Sequence, residues 1–198
     1  MDKRLQQQIE FIIEADKLKN VIRRNFLIDD SRRENVAEHT WHSILLAQVF
    51  FEYAENKHQL DLLHIIRMLT IHDLVEIYAG DTFIFDKEGY KEKFNRENQA
   101  AKKLFSMLPY DQGKEFYELW LEFESEKTPN AILACVIDKL MPVMLNTYSK
   151  GTSWKEAEIS AEQVFDTLKI IKKGPKKMHE LLQNLVEKAL KKKSLLPE

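Results

Sequence analysis

His72 and Asp73 stand side by side in IHDLVEIYAGD, within a stretch whose apolar periodicity predicts a buried helix. An imidazole nitrogen and a carboxylate oxygen are the donor pair that borderline divalent metals accept. An ionised carboxylate is costly to bury alone, and a bound cation offsets that cost. On a helical projection of residues 60–79, Glu76 falls about 40° and Asp73 about 100° from His72. Leu62, Ile65 and Leu69 share that sector, so the apolar stripe runs into three ionisable groups. Two further segments repeat the anomaly. AILACVIDKLMPVML is apolar on every side except at Asp138-Lys139. A mid-helix aspartate is a poor helix former and hard to bury. NVAEHTWHSILLAQVF sets His39 and His42 three residues apart, near the stripe continued by Leu46, Val49 and Phe50. Three predicted helices thus each offer metal-ligand chemistry at His39, at His72-Asp73 and at Asp138. His42 reads as core or as a neighbour of the site. Glu38 either orients His39 from behind or pairs with Arg32 or Arg33 at the surface. Lys139 either approaches a bound anion or neutralises Asp138.

The elements that must position these groups read as helices. Glycine and proline number five each in 198 residues, and β-branched alternation is scarce. Periodicity predicts helices near 4–20, 35–56, 60–79, 90–108, 113–126, 129–148, 155–172 and 175–191. Gly80, Pro109, Thr128-Pro129, Gly151 and Gly174-Pro175 punctuate them. Without a dividing linker or a repeat, the expectation is one all-α domain over 1–198, a helical bundle.

Composition narrows the partners. The net charge is -2, so no global field draws the chain to nucleic acid polymers or anionic membranes. A single cysteine, Cys135, excludes an intrachain disulfide framework and a multi-cysteine zinc site, and it reads as a core thiol. No secretory signal is visible at the N-terminus. No apolar run is expected to reach the roughly 18 residues of a membrane span. A cytoplasmic protein is the expectation. Arg23, Arg24, Arg32 and Arg33 form a basic cluster ahead of His39, a positive rim suited to an anionic substrate. His58, His64 and His179 read as solvated. Trp41, Trp120 and Trp154 read as core or interface. Leu181, Leu182 and Leu185 read as exposed apolar residues that a homodimer would cover.

The order ENVAEHTWH, IHDLVEIYAGDTF, IDKLMPVMLN and GTSW resembles the HD superfamily of metal-dependent phosphohydrolases. It is most similar to the bacterial HD-domain hydrolases related to 5'-deoxynucleotidases, over roughly residues 15–170. The resemblance implies a metal site formed by His39, His72, Asp73 and Asp138. It also implies a catalytic carboxylate at Glu76 and substrate contacts at Arg24, Asn25 and Asp81. In the deoxynucleotidase branch a tryptophan follows the arginine, and Asn25 stands in its place here. The implied activity is hydrolysis of (deoxy)nucleoside 5'-monophosphates with one divalent ion of manganese, cobalt, iron, nickel or zinc. A phosphodiesterase or a triphosphohydrolase is the alternative within the superfamily. A non-catalytic, metal-stabilised interaction protein is the alternative outside it, and Glu76 and Asp81 argue against that.

Overall fold

The computed structural model describes residues 2–197. Helix α1 (Lys3–Ala15) starts at Asp2, whose side chain accepts from the Arg4 amide. A 3₁₀ turn leads into an antiparallel hairpin of β1 (Ile22–Phe26) and β2 (Arg33–Asn35). Ile22 lies opposite Asn35 and Phe26 opposite Arg33, with irregular pairing between. The all-α expectation holds for the rest of the chain, and this short hairpin falls between the helices expected at 4–20 and 35–56. Its inner face carries Arg23, Asn25 and Glu34, so no apolar alternation marks it in the sequence.

Helix α2 (Val36–Phe50) follows β2 without a linker. The Asn35 side chain accepts from the Glu38 amide, and the Glu38 carboxylate accepts from the Asn35 amide. This reciprocal capping fixes where the strand becomes helix. Helix α3 (Leu62–Ile71) buries Ile65, Met68, Leu69 and Ile71. The expected continuous helix 60–79 breaks there. His72–Val75 forms a 3₁₀ turn before the short α4 (Glu76–Ala79), which ends at Gly80 with φ +75°. Then come α5 (Lys87–Lys91), α6 (Lys93–Phe105), α7 (Tyr110–Ser125) and α8 (Pro129–Tyr148). The chain closes with α9 (Thr152–Glu156), α10 (Ala161–Thr167) and α11 (Lys176–Lys191).

Helix α8 is the central rod and packs against α2, α3, α7 and α11. By length and composition it could cross a membrane, contrary to the expectation that no apolar run is that long. Its apolar sides are covered by its own neighbours instead. Leu182 and Leu185 of α11 are 2% exposed. They are core residues packed within the chain, not the surface expected to be covered by a second copy. His64 also departs from a solvated reading, since its Nε2 lies 2.7 Å from a Glu122 oxygen. Trp120 and Trp154 are buried, whereas Trp41 is 63% exposed.

Candidate metal centre and active site

His39 lies in the first turns of α2, His72 and Asp73 in the 3₁₀ turn after α3, and Asp138 in the middle of α8. One donor atom from each of the four lies within 4.8 Å of every other. The two imidazoles meet at a single oxygen. His39 Nε2 is 2.7 Å and His72 Nε2 3.3 Å from Asp138 Oδ1. Asp73 Oδ1 is 3.1 Å from His72 Nε2. His72 Nδ1 donates to the Leu69 carbonyl at 2.9 Å, which turns Nε2 inward. Two imidazole nitrogens and two carboxylate oxygens, both histidines buried, fit a divalent cation by donor chemistry and by spacing.

The centre opens on a cavity of about 250 Å³. Glu76 and Asp81 line it beside the cluster, and Phe83, Ile84 and Phe85 form an apolar wall. Arg23 enters from β1. Its guanidinium is 3.4 Å from Asp81 and 3.5 Å from Asp73. Strand alternation sends the next residue outward, so Arg24 is exposed with its guanidinium over Phe83, 5.2 Å from the ring centroid. Arg24 therefore borders the mouth of the cavity, and Arg23 is the arginine that meets the acidic cluster. Asn25 is buried on the inner face, and its amide donates to the Pro142 carbonyl at 3.3 Å. That bond ties β1 to α8. Lys139 pairs with Glu126, and Lys93 pairs with the buried Glu97 at 2.8 Å. His42 stacks on Trp41, away from the cavity lining. Glu38 pairs with Arg32 at 2.8 Å, the surface arrangement.

Burial disfavours the His72 imidazolium, but Asp73 and Asp138 more than offset this and raise its pKa to about 9. Burial and Arg23 both oppose charge on His39, yet Asp138 and Glu34 raise it. Asp138 is held well below the usual carboxylate range: burial opposes its ionisation, and the hydrogen bonds from both imidazoles prevail. Glu76 behaves oppositely. Burial first, and Asp73 next, push its carboxyl well above the ordinary value. A raised histidine stabilises the metal-free fold fully below about pH 6.5, and that contribution is lost as pH rises through about 9. A cation must displace the proton, because only the neutral imidazole donates to metal. Zinc binding near pH 7 is therefore expected to release protons and to tighten toward pH 9. Titration calorimetry in buffers of different ionisation heat measures this, and a flat affinity between pH 6 and 9 contradicts it.

Sequence reasoning places Arg23 only within a basic cluster and does not single out Glu34. Arg23 was indistinguishable from Arg24 until the strand placed them on opposite faces. Glu34 sits in SRRENVAEH like a surface charge but is 1% exposed, behind His39. The signal that could have found both is the register of a short strand running directly into a capped helix.

Comparison with known proteins agrees with this geometry. The HD domain family model matches residues 15–179. The human 5'-deoxynucleotidase HDDC2 is 30% identical over 132 residues, 66% of this chain and 62% of that protein. The chain thus spans under two thirds of the human relative's length. The Dictyostelium discoideum 5'-deoxynucleotidase HDDC2 is 29% identical over 164 residues, 80% of this chain and 86% of that protein. Among solved structures, a predicted metal-dependent phosphohydrolase from Magnetospirillum magnetotacticum MS-1 superposes with a TM-score of 0.92 at 40% identity. That match covers 98% of this chain and 96% of the other. The PH0347 protein from Pyrococcus horikoshii OT3 shares the fold at 21% identity, with a TM-score of 0.67 over 91% of this chain and 99% of that one. With the family model spanning most of its length and the His–His-Asp–Asp cluster at its centre, this chain belongs to the HD-domain family.

Proposed function

We propose that this chain is a metal-dependent phosphohydrolase that releases phosphate from (deoxy)nucleoside 5'-monophosphates. The observation that carries the reading is the convergence of four metal donors beside the buried Glu76, on a cavity lined by His72, Asp73, Asp138 and Glu76. The names of the human, Dictyostelium and Magnetospirillum relatives support the same chemistry. His39, His72, Asp73 and Asp138 hold the cation, one ion of manganese, cobalt, iron, nickel or zinc. Such an ion polarises a phosphate oxygen and lowers the pKa of a coordinated water.

The chain's own residues supply the rest. Burial and then Asp73 disfavour charge on Glu76 and raise its pKa, which suits it to serve as general acid toward the leaving sugar oxygen. Arg23 on the inner face and Arg24 at the rim bring positive charge to the phosphate, and Asn25 lines the path between them. Asp81 accepts from a sugar hydroxyl. Phe83, Ile84 and Phe85 exclude water and suit the flat, weakly polar face of a nucleoside. Lys93 and Lys139 are already paired with Glu97 and Glu126, which leaves little free positive charge for a longer phosphate chain. The whole chain acts as one unit in this reading, with a core that runs from Phe11 to Leu195.

A panel of nucleoside mono-, di- and triphosphates and a phosphodiester, each assayed with several divalent metals, tests the proposal. Free phosphate from monophosphates alone is the expected result. Release of pyrophosphate or triphosphate, or cleavage of the diester, reassigns the reaction. No turnover with any metal overturns it.

A further inference from the structure

Among the buried polar atoms that lack a hydrogen-bond partner are Glu34 Oε2, His39 Nδ1 and Arg23 Nε, on the hairpin side of the centre. They face one another. Glu34 Oε2 is 3.6 Å from His39 Nδ1 and 3.8 Å from Arg23 Nε. Both distances exceed a hydrogen bond, yet two donors point at one acceptor in a place that water does not reach. Leaving all three unpaired is unfavourable, because a buried polar group without a partner keeps the full cost of its desolvation. To come within hydrogen-bond range the two distances need to shorten by about 0.4 and 0.6 Å.

The two histidines then become equivalent. His72 has its Nδ1 proton fixed by the Leu69 carbonyl and turns Nε2 toward Asp138. His39 also turns Nε2 toward Asp138, and the acceptor behind its Nδ1 is Glu34. Strand β2 places Glu34 inward, and the Asn35–Glu38 cap fastens that strand to the first turn of α2, where His39 lies. The spacing between carboxyl and imidazole is therefore set by rigid backbone.

We infer that Glu34 is a positioning residue that joins the metal site to the substrate-facing arginine: one oxygen accepts from His39 Nδ1 and from Arg23 Nε. This rests on the metal-site reading above. On the first side Glu34 fixes the His39 tautomer so that Nε2 is the donor. On the second it holds the guanidinium in the plane from which Arg23 reaches Asp73 and Asp81. Glu38, the carboxylate next to His39 in sequence, is engaged by Arg32 and cannot take this part.

Glu34→Gln keeps an acceptor oxygen of the same shape, and Glu34→Leu keeps bulk without an acceptor. Zinc is titrated into the wild type and both variants by calorimetry. The expected result is an affinity for Glu34→Leu about 10–100-fold weaker and one for Glu34→Gln within about threefold of wild type. Equal affinity for Glu34→Leu and wild type overturns the inference. So does Glu34→Gln as weak as Glu34→Leu. Failure of the wild type itself to bind zinc overturns the metal-site reading instead. Should Glu34→Leu not fold, nitrogen-15 spectra of the zinc-loaded wild type decide: a protonated Nδ1 and a metal-bound Nε2 on His39 are required, and the reverse tautomer refutes the role.

Discussion

Replacing Glu76 with glutamine should lower kcat by about 10²–10⁴-fold, the span attributed to a positioned acid or base, while metal content stays at the wild-type level. Glu76 is buried beside Asp73 and Asp81 and stands outside the four-donor cluster. Glutamine matches its shape but carries no transferable proton. The pH profile carries the sign. A carboxyl whose pKa is raised is protonated at low pH, so a general acid loses activity as pH climbs through that raised value. The wild type should show this descending limb, and Glu76→Gln should not. Stability moves with it. Burying Glu76 favours its neutral form, so its contribution to the metal-free fold is intact below the ordinary glutamate value and is lost as pH rises through the raised one. Metal-free Glu76→Gln should therefore melt no lower than wild type at pH 8. Wild-type kcat in the variant, or loss of its metal, would show that the roles are misassigned.

Asp138→Ala should produce the second large effect, loss of both metal and turnover. One oxygen of Asp138 receives both imidazoles, so its removal takes away a donor and the group that aligns two others. The fall in zinc affinity should exceed the about 10–100-fold typical of losing a partner behind a ligand. The rod itself should survive. Alanine is the better helix former, and Val136, Ile137, Leu140 and Met141 keep α8 anchored in the core. Metal content after dialysis, read beside a far-ultraviolet dichroism spectrum of native shape, checks this. Retention of stoichiometric zinc by the folded variant would mean that the remaining three donors suffice.

Much of the helical architecture could be read from the chain because its signal is local. The apolar stripe through Ile65 and Leu69, the Thr128-Pro129 start of α8 and its apolar length all act within a few residues. The strands did not announce themselves that way. IRRNF and REN bury a guanidinium, an amide and a carboxyl where an ordinary sheet would bury apolar side chains, so their pattern mimics a solvated loop. Leu182 and Leu185 misled for a related reason: a stripe on a terminal helix looks alike whether it meets another copy or, as here, the chain's own α8.

The sequence alone determined which residue types could hold a cation. Ionisable groups on otherwise apolar stripes are too costly to keep without a partner, and that argument needs no coordinates. It also named Glu76, one turn beyond His72. Only the tertiary structure decided how these groups meet. A 3₁₀ turn replaces the helix at His72–Val75, and strand alternation turns Arg23 inward and Arg24 out. Glu34, not Glu38, lies behind His39. Each of these depends on backbone direction and on distances between segments far apart in sequence, and residue order carries neither.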